Sequence, residues 1–149
     1  MIYILRQKEI YQILSQRPPF LMVDRILQIE PGRRAVGIKN ITPELLYCYG
    51  GTEEAGFPQV LVLEAMAQVG AIAILTGLAE QGKKTTLFTG MDKVNFYAPV
   101  NSGDQMRLEV EILGVKRGMG RRSGRAWVGD RLVAEGVLWF AIVDKPNLE

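Results

Sequence analysis

Two polar side chains, Glu64 and Gln68, stand in an otherwise apolar stretch and are the first candidates for chemistry. Every other residue between Val60 and Leu75 is apolar or glycine. Residues four apart share one face of a helix, so the carboxylate and the amide would lie side by side. A carboxylate in such surroundings must be paired, neutralised or functional. Glu64 is therefore a candidate site residue, with Gln68 on the same face. The alternative is a structural carboxylate that caps a loop inside the core.

The chain of 149 residues contains no histidine. This removes the commonest general base, the commonest metal ligand and any Ser-His or Cys-His arrangement. No zinc motif, phosphate-binding loop or dinucleotide fingerprint is present either, so we expect neither a metal nor a cofactor. A net charge of +2 is too mild to indicate a nucleic-acid partner, although it is compatible with an acidic protein partner.

The single cysteine, Cys48, excludes an intrachain disulfide and indicates a reducing compartment. Nothing near it in the sequence would lower its pKa, so we expect a buried structural thiol rather than a nucleophile. The first residues carry charges where a signal peptide needs an apolar run. We therefore expect a cytoplasmic protein.

The apolar stretch predicts a long buried helix from Pro58 to Gln81, because proline suits the first turn and Gly82 with its lysine neighbours suits the end. The stretch is long enough to span a bilayer. However, a glutamate near the middle of a lone spanning helix is unfavourable by about 2.5–3.5 kcal/mol. We expect a buried helix and no membrane span.

The remaining pattern predicts one α+β domain over residues 1–149, in which an antiparallel sheet wraps the long central helix. Met106, Leu108 and Val110 alternate with charged residues, the clearest strand signal in the chain. An exposed sheet edge favours pairing with a second copy. The other predicted elements are a helix over 4–14, an extended segment over 20–27, strands over 34–41, 85–94 and 132–143, an irregular loop over 42–57 and a basic, glycine-rich hairpin connection over 116–125.

Several motifs, taken in order, carry a resemblance to a known family. The chain resembles, almost end to end, the FabZ-type 3-hydroxyacyl-acyl carrier protein dehydratases of bacterial fatty-acid synthesis, which have a hot-dog fold. The motifs are Arg17-Pro18-Pro19-Phe20-Leu21-Met22-Val23-Asp24-Arg25, Glu30-Pro31-Gly32, Lys39-Asn40-Ile41-Thr42, Leu63-Glu64-Ala65-Met66-Ala67-Gln68, Asp92-Lys93-Val94-Asn95-Phe96, Pro99-Val100, Gly103-Asp104-Gln105 and Val133-Ala134-Glu135.

The resemblance implies a homodimer with acyl tunnels at its interface, acting on a thioester of acyl carrier protein or coenzyme A. In the family a loop histidine removes the α-proton, and a carboxylate on the partner's helix protonates the departing hydroxyl. That carboxylate corresponds to Glu64, and the glutamine beside it to Gln68. Amides at the helix N-terminus hold the thioester oxygen, which implies substrate-binding residues at Phe57, Gln59 and Val60.

In an ungapped alignment back from Leu63, Gly50 corresponds to the family's histidine, and a gapped alternative that matches Gly56-Phe57-Pro58 also lacks a histidine. Loss of a positioned base costs about 10²–10⁴ in rate. Glu53 or Glu54 could act as the base, the alternative being two solvated loop carboxylates. A histidine-bearing homologue could instead complete the site in a hetero-oligomer.

Three functions stay open on the sequence. The chain could be a dehydratase that gives the trans-2-enoyl thioester, a catalytically silent partner subunit or acyl-thioester sensor, or an acyl-thioester hydrolase in which Glu64 activates water. A set of basic residues could bind the acidic acyl carrier protein, with a solvated polar loop as the alternative. They are Arg33, Arg34, Lys83, Lys84, Lys116, Arg117, Arg121, Arg122 and Arg125.

Overall fold

The structure, a computed structural model, describes residues 4–80 and 82–146. Within these residues the chain forms three helices and six strands. In chain order they are α1 (Gln7–Ile13), β1 (Arg25–Glu30), β2 (Arg34–Asn40), α2 (Pro43–Cys48), α3 (Gln59–Leu75), β3 (Lys84–Phe96), β4 (Gln105–Lys116), β5 (Met119–Val128) and β6 (Arg131–Asp144).

The six strands form one sheet in the order β1-β2-β4-β5-β6-β3, and each neighbouring pair is antiparallel. Helix α3 contacts all six strands, so the sheet curves around it. Most of α3 from Val62 to Leu75 is buried, and the inward residues of β4, Met106, Leu108 and Val110, pack in the same core. The predicted α+β hot-dog architecture is confirmed.

Helix α3 is shorter at its C-terminal end than the predicted range of 58–81. The hydroxyl of Thr76 donates to the carbonyl oxygen of Ile72 over 2.7 Å, and the chain then leaves the helix. Gly77 packs against the turn between β1 and β2, where a Cβ atom would lie 2.7 Å from the backbone nitrogen of Gly32. Close contact with this turn ends the helix, a long-range effect that local propensity does not encode. Gln81 lies outside the described residues.

Two other segments differ from their predictions. The loop over 42–57 contains helix α2, because Thr42 accepts a hydrogen bond from the amide of Leu45 over 3.2 Å and Pro43 occupies the first turn. The predicted hairpin connection over 116–125 is mostly strand β5, and only Arg117 and Gly118 form the turn.

At the N-terminus, α1 begins at Gln7 and the predicted extended segment pairs as a strand only from Arg25. No helix within residues 4–80 and 82–146 is long and apolar enough to cross a membrane.

Candidate active site

Gln68 is fixed in one orientation by three hydrogen bonds. Its Oε1 accepts from the backbone amide of Met22 over 2.7 Å, and its Nε2 donates to the carbonyl oxygen of Phe20 over 2.9 Å. Nε2 also donates to Oε1 of Glu64 over 2.9 Å. Because one backbone group is a donor and the other an acceptor, the amide cannot be flipped without losing both bonds. Gln68 therefore holds Glu64 in position.

The segment from Phe20 to Met22 explains why this glutamine is buried. These residues precede β1, so their backbone groups lack a ladder partner, and the side chain of Gln68 supplies one for each of two groups. The exposed fraction of Gln68 is 2%. Its role is thus structural as well as positional.

Glu64 opens onto an apolar cavity of about 400 Å³. Among the described residues that line it, Glu64 alone is charged. The lining residues are Phe20, Met22, Tyr49, Val60, Leu61, Leu63, Glu64, Phe88 and Met91.

A second, smaller cavity of about 160 Å³ is also lined by Glu64, and its lining is more polar than that of the first, so we call it the polar cavity. The two cavities share Glu64 and Phe88 in their linings, so they adjoin each other at these two residues. The lining residues of the polar cavity are Gln16, Glu64, Ala67, Gln68, Ala71, Thr86, Leu87, Phe88 and Arg122.

Arg122 is a functional candidate that the sequence pattern misplaced. It was predicted among the basic residues that could bind an acidic carrier, but it is only 1% exposed and faces inward from β5. Burial lowers its pKa to about 10, while the charge of Glu64 acts in the opposite direction. The guanidinium therefore stays cationic at neutral pH. Its Nε and Nη1 have no hydrogen-bond partner among the described residues.

Tyr49 is a second residue that the sequence did not single out. Its hydroxyl is buried without a hydrogen-bond partner in the described part of the chain, and it lines the apolar cavity with Glu64. Burial is the main cause that raises its pKa, with smaller contributions from the charges of Cys48 and Glu64. The phenol therefore keeps its proton at neutral pH and can donate a hydrogen bond. Its position next to Gly50 was the available signal.

The three predicted substrate-binding residues occupy different environments in the structure. Val60 lines the apolar cavity. Gln59 is exposed in the first turn of α3, and Phe57 is buried in the core with 2% exposure. Gly50 is exposed with φ of 72°, and a Cβ atom there would meet nothing within 4 Å. The roles of these residues remain predictions.

The alternative catalytic groups lie on the surface. Glu53 and Glu54 are both exposed, and Oε2 of Glu53 accepts a hydrogen bond from the hydroxyl of Ser102 over 2.8 Å. Cys48 is exposed at the end of α2, so the prediction of a buried thiol is wrong. The reason is that the segment predicted as a loop forms an amphipathic turn of helix, with Leu46 directed inward instead. In the described ranges, no cluster of three or more cysteine, aspartate or glutamate residues could hold a metal ion.

The chain is similar in sequence to a known family and to named relatives. A model of the FabA-like domain matches residues 14–137. The 3-hydroxyacyl-[acyl-carrier-protein] dehydratase FabZ of Symbiobacterium thermophilum is 48% identical over 141 residues, covering 93% of this chain and 97% of the relative.

Two solved structures share the fold at low sequence identity. The dehydratase heterocomplex ApeI:P from Xenorhabdus doucetiae has a TM-score of 0.73 at 15% identity, covering 93% of this chain and 91% of that chain. The protein smu.793 from Streptococcus mutans, bound to acetyl CoA, has a TM-score of 0.66 at 12% identity, covering 90% of this chain and 98% of that chain. Given the family match over most of its length and the close FabZ relatives, the chain belongs to the FabZ-type 3-hydroxyacyl-acyl carrier protein dehydratase family.

Proposed function

We propose that this chain binds an acyl thioester in the apolar cavity and contributes the acid of a 3-hydroxyacyl-thioester dehydratase site. The observation that carries the proposal is the position of Glu64. It is the one charged side chain among the described residues of a cavity of about 400 Å³, and Gln68 fixes one of its oxygens. The 48% identical relative is named as a dehydratase of acyl carrier protein thioesters, which supports the same chemistry and the same class of carrier.

In the proposed step, Oε1 of Glu64 keeps its hydrogen bond from Gln68, and the proton resides on Oε2. This proton passes to the 3-hydroxyl group as its bond to carbon breaks, and water leaves. A base removes the α-proton, and the electron pair of the broken carbon–hydrogen bond forms the new double bond. The amides of Gln59 and Val60, at a helix N-terminus without a side-chain cap, would stabilise negative charge on the thioester oxygen. The Tyr49 hydroxyl would donate to a substrate oxygen.

The base is what this chain lacks. A second copy brings no histidine, and neither Glu53 nor Glu54 lines the cavities at Glu64 within one chain. A second candidate function is therefore a partner subunit that is silent alone and is completed by a histidine-bearing homologue. The dehydratase heterocomplex with the same fold supports this candidate. We place both candidates in the cytoplasm, the compartment predicted from the sequence.

Strand β3 is the proposed surface for a second subunit, whether an identical copy or a homologue. It lies at the edge of the sheet, and an unpaired edge is open to pairing with another strand. Its large apolar residues are exposed in the single chain, and several of them line the cavities at Glu64. These residues are Leu87, Phe88, Met91 and Phe96. A homodimer would bring the cavities of one subunit close to those of the other.

The test is hydration of a crotonyl thioester by the purified chain and by the Glu64→Gln variant, each alone and mixed with a histidine-bearing FabZ homologue. Loss of enoyl absorbance reports hydration, and release of free thiol reports hydrolysis. Glu111→Gln, at an exposed glutamate on β4, is the matched control. We expect hydration that Glu64→Gln lowers at least a hundredfold and Glu111→Gln leaves unchanged.

The assay separates the candidates. Hydration by the chain alone supports the dehydratase and directs attention to Glu53 and Glu54 of a second copy. Hydration that exceeds the homologue's own rate only in the mixture supports the partner subunit. Thiol release that depends on Glu64 would replace both with a hydrolase. Equal activity of the wild type and the Glu64→Gln variant in every mixture would contradict the proposal.

A further inference from the structure

Arg122 reaches the polar cavity by crossing helix α3 at a glycine. A Cβ atom at Gly70 would lie 2.5 Å from Cδ and 3.1 Å from Nε of Arg122, so the arginine stem occupies the space that a side chain would fill. Its other flank packs on the ring of Phe140, with 5.0 Å from the guanidinium carbon to the ring centroid. The side chain is therefore held against the helix at Gly70, and it lines the polar cavity together with Glu64.

The charge of Arg122 is unpaired in the described structure. It forms no ion pair with Glu64 or any other described carboxylate, and two of its three nitrogens are buried without a partner. Leaving buried charged donors unsatisfied is unfavourable, whereas a guanidinium paired with a carboxylate gains two charge-assisted hydrogen bonds. An apolar acyl chain in this cavity would leave the donors unpaired. A ligand carboxylate would satisfy them.

We propose that Arg122 selects acyl thioesters that carry a second, free carboxylate at the far end of the acyl chain. The inference rests on the proposed function, since it assumes that the thioester and its reacting carbons lie at Glu64. Because Glu64 lines the polar cavity as well as the apolar one, an acyl chain whose reacting carbons lie at Glu64 can extend into the polar cavity.

The volume of the polar cavity sets the length of the substrate. A space of about 160 Å³ holds roughly five groups the size of a water molecule. This accommodates a carboxylate and two methylene groups beyond the third carbon. The size corresponds to a monothioester of a six-carbon dicarboxylic acid. Gln16 and Thr86 line the same cavity and could donate to a carboxylate oxygen that Arg122 leaves free.

The test compares the binding of adipoyl-coenzyme A and hexanoyl-coenzyme A by isothermal titration calorimetry. The two ligands differ only in the terminal carboxylate. We expect the wild type to bind the adipoyl thioester at least tenfold more tightly. Arg122→Met should remove this preference while hexanoyl affinity stays equal or rises. Arg122→Gln provides a second neutral variant, and Arg107→Met, at an exposed arginine on β4, should leave both affinities unchanged.

Equal affinities in the wild type would overturn the selection by Arg122 and leave the proposed thioester binding intact. An equal loss for both ligands in the two Arg122 variants would also overturn it, because the arginine would then contact the part that the ligands share. Binding of neither ligand would contradict the proposed function together with this inference.

Discussion

Arg122 occupies the space where a side chain at Gly70 would lie, with 2.5 Å between its Cδ and the position of a Cβ atom. The two residues are on different elements, β5 and α3, and they fit only because one is glycine. A helix interior usually favours alanine over glycine by about 1 kcal/mol. Here we expect the opposite result. Overpacking against Arg122 and Val110 in Gly70→Ala should lower the free energy of unfolding by about 1–2 kcal/mol net.

Urea denaturation of Gly70→Ala measures this effect. Gly114→Ala is the control, because a Cβ atom there meets nothing within 4 Å. The control should change the free energy of unfolding by no more than about 0.5 kcal/mol. A stability gain in Gly70→Ala would show that Arg122 does not cross the helix as described.

The unpaired charge of Arg122 should destabilise the ligand-free protein. Arg122→Met is expected to raise the free energy of unfolding by about 1–3 kcal/mol at pH 7. Burial lowers the pKa of Arg122 in the folded protein to about 10, well below its usual range. From about pH 10 upward the unfolded chain binds more protons than the folded protein, so the free energy of unfolding of the wild type rises with pH there. The difference in the free energy of unfolding between Arg122→Met and the wild type should be constant below pH 9 and become smaller above pH 10.

Denaturation at pH 7, 9 and 10.5, at one protein concentration, tests both parts of this expectation. Arg107→Met, at a surface arginine 3.0 Å from Glu109, should show no such dependence on pH. A variant less stable than the wild type at pH 7 would mean that the guanidinium is paired within the protein.

Gln68 joins Glu64 to the backbone of residues 20–22, so Gln68→Leu should affect both stability and binding. Two backbone groups, the amide of Met22 and the carbonyl of Phe20, lose their partner. We expect a loss of about 1–3 kcal/mol in the free energy of unfolding. Gln105→Leu breaks an exposed amide hydrogen bond of 2.8 Å to Asn40 and should cost less than about 0.5 kcal/mol. Similar losses in the two variants would contradict the assignment.

Tyr49→Phe separates function from stability. The hydroxyl has no partner among the described residues, so its removal should leave the ligand-free protein equally stable or more stable by up to about 1 kcal/mol. Affinity for an acyl thioester should fall about tenfold, equivalent to about 1.4 kcal/mol, if the hydroxyl donates to the substrate. Calorimetry with hexanoyl-coenzyme A measures the second effect. Tyr47→Phe, two residues away on helix α2 and 68% exposed, is the control.

Gly50→His introduces a histidine at the position that the sequence predicts to correspond to the family's histidine. Space is available, although φ of 72° places the residue in the left-handed region, where a side chain costs about 1–2 kcal/mol. A positioned base contributes about 10²–10⁴ in rate, so we expect faster hydration of the crotonyl thioester by this variant. Gly103→His has the same kind of backbone, with φ of 89° and open space, at a turn that lines neither cavity. An equal gain in both variants would count against a specific site at position 50.

Local patterns in the sequence predicted the features that depend on neighbouring residues. The apolar run predicted helix α3 as a buried helix, because a helix with apolar side chains on all sides has no face suited to water. The spacing of Glu64 and Gln68 placed them on one helical face, and the hydrogen bond between them follows from that spacing. Alternation in β4 gave its buried face correctly, because side chains of a strand point to opposite sides in turn.

The features that make this site unusual depend on contacts between distant parts of the chain. Gln68 forms hydrogen bonds with Met22 and Phe20, which lie 46 and 48 positions earlier in the chain. Nothing near Gln68 in the sequence specifies those partners. Arg122 lies in a segment whose many glycines and cations predicted an exposed connection. Pairing with β4 and β6 makes it a strand instead, and the register then turns this one arginine inward. Composition reports the average preference of a segment for water, whereas sheet register and the gap at Gly70 decide which single side chain is buried.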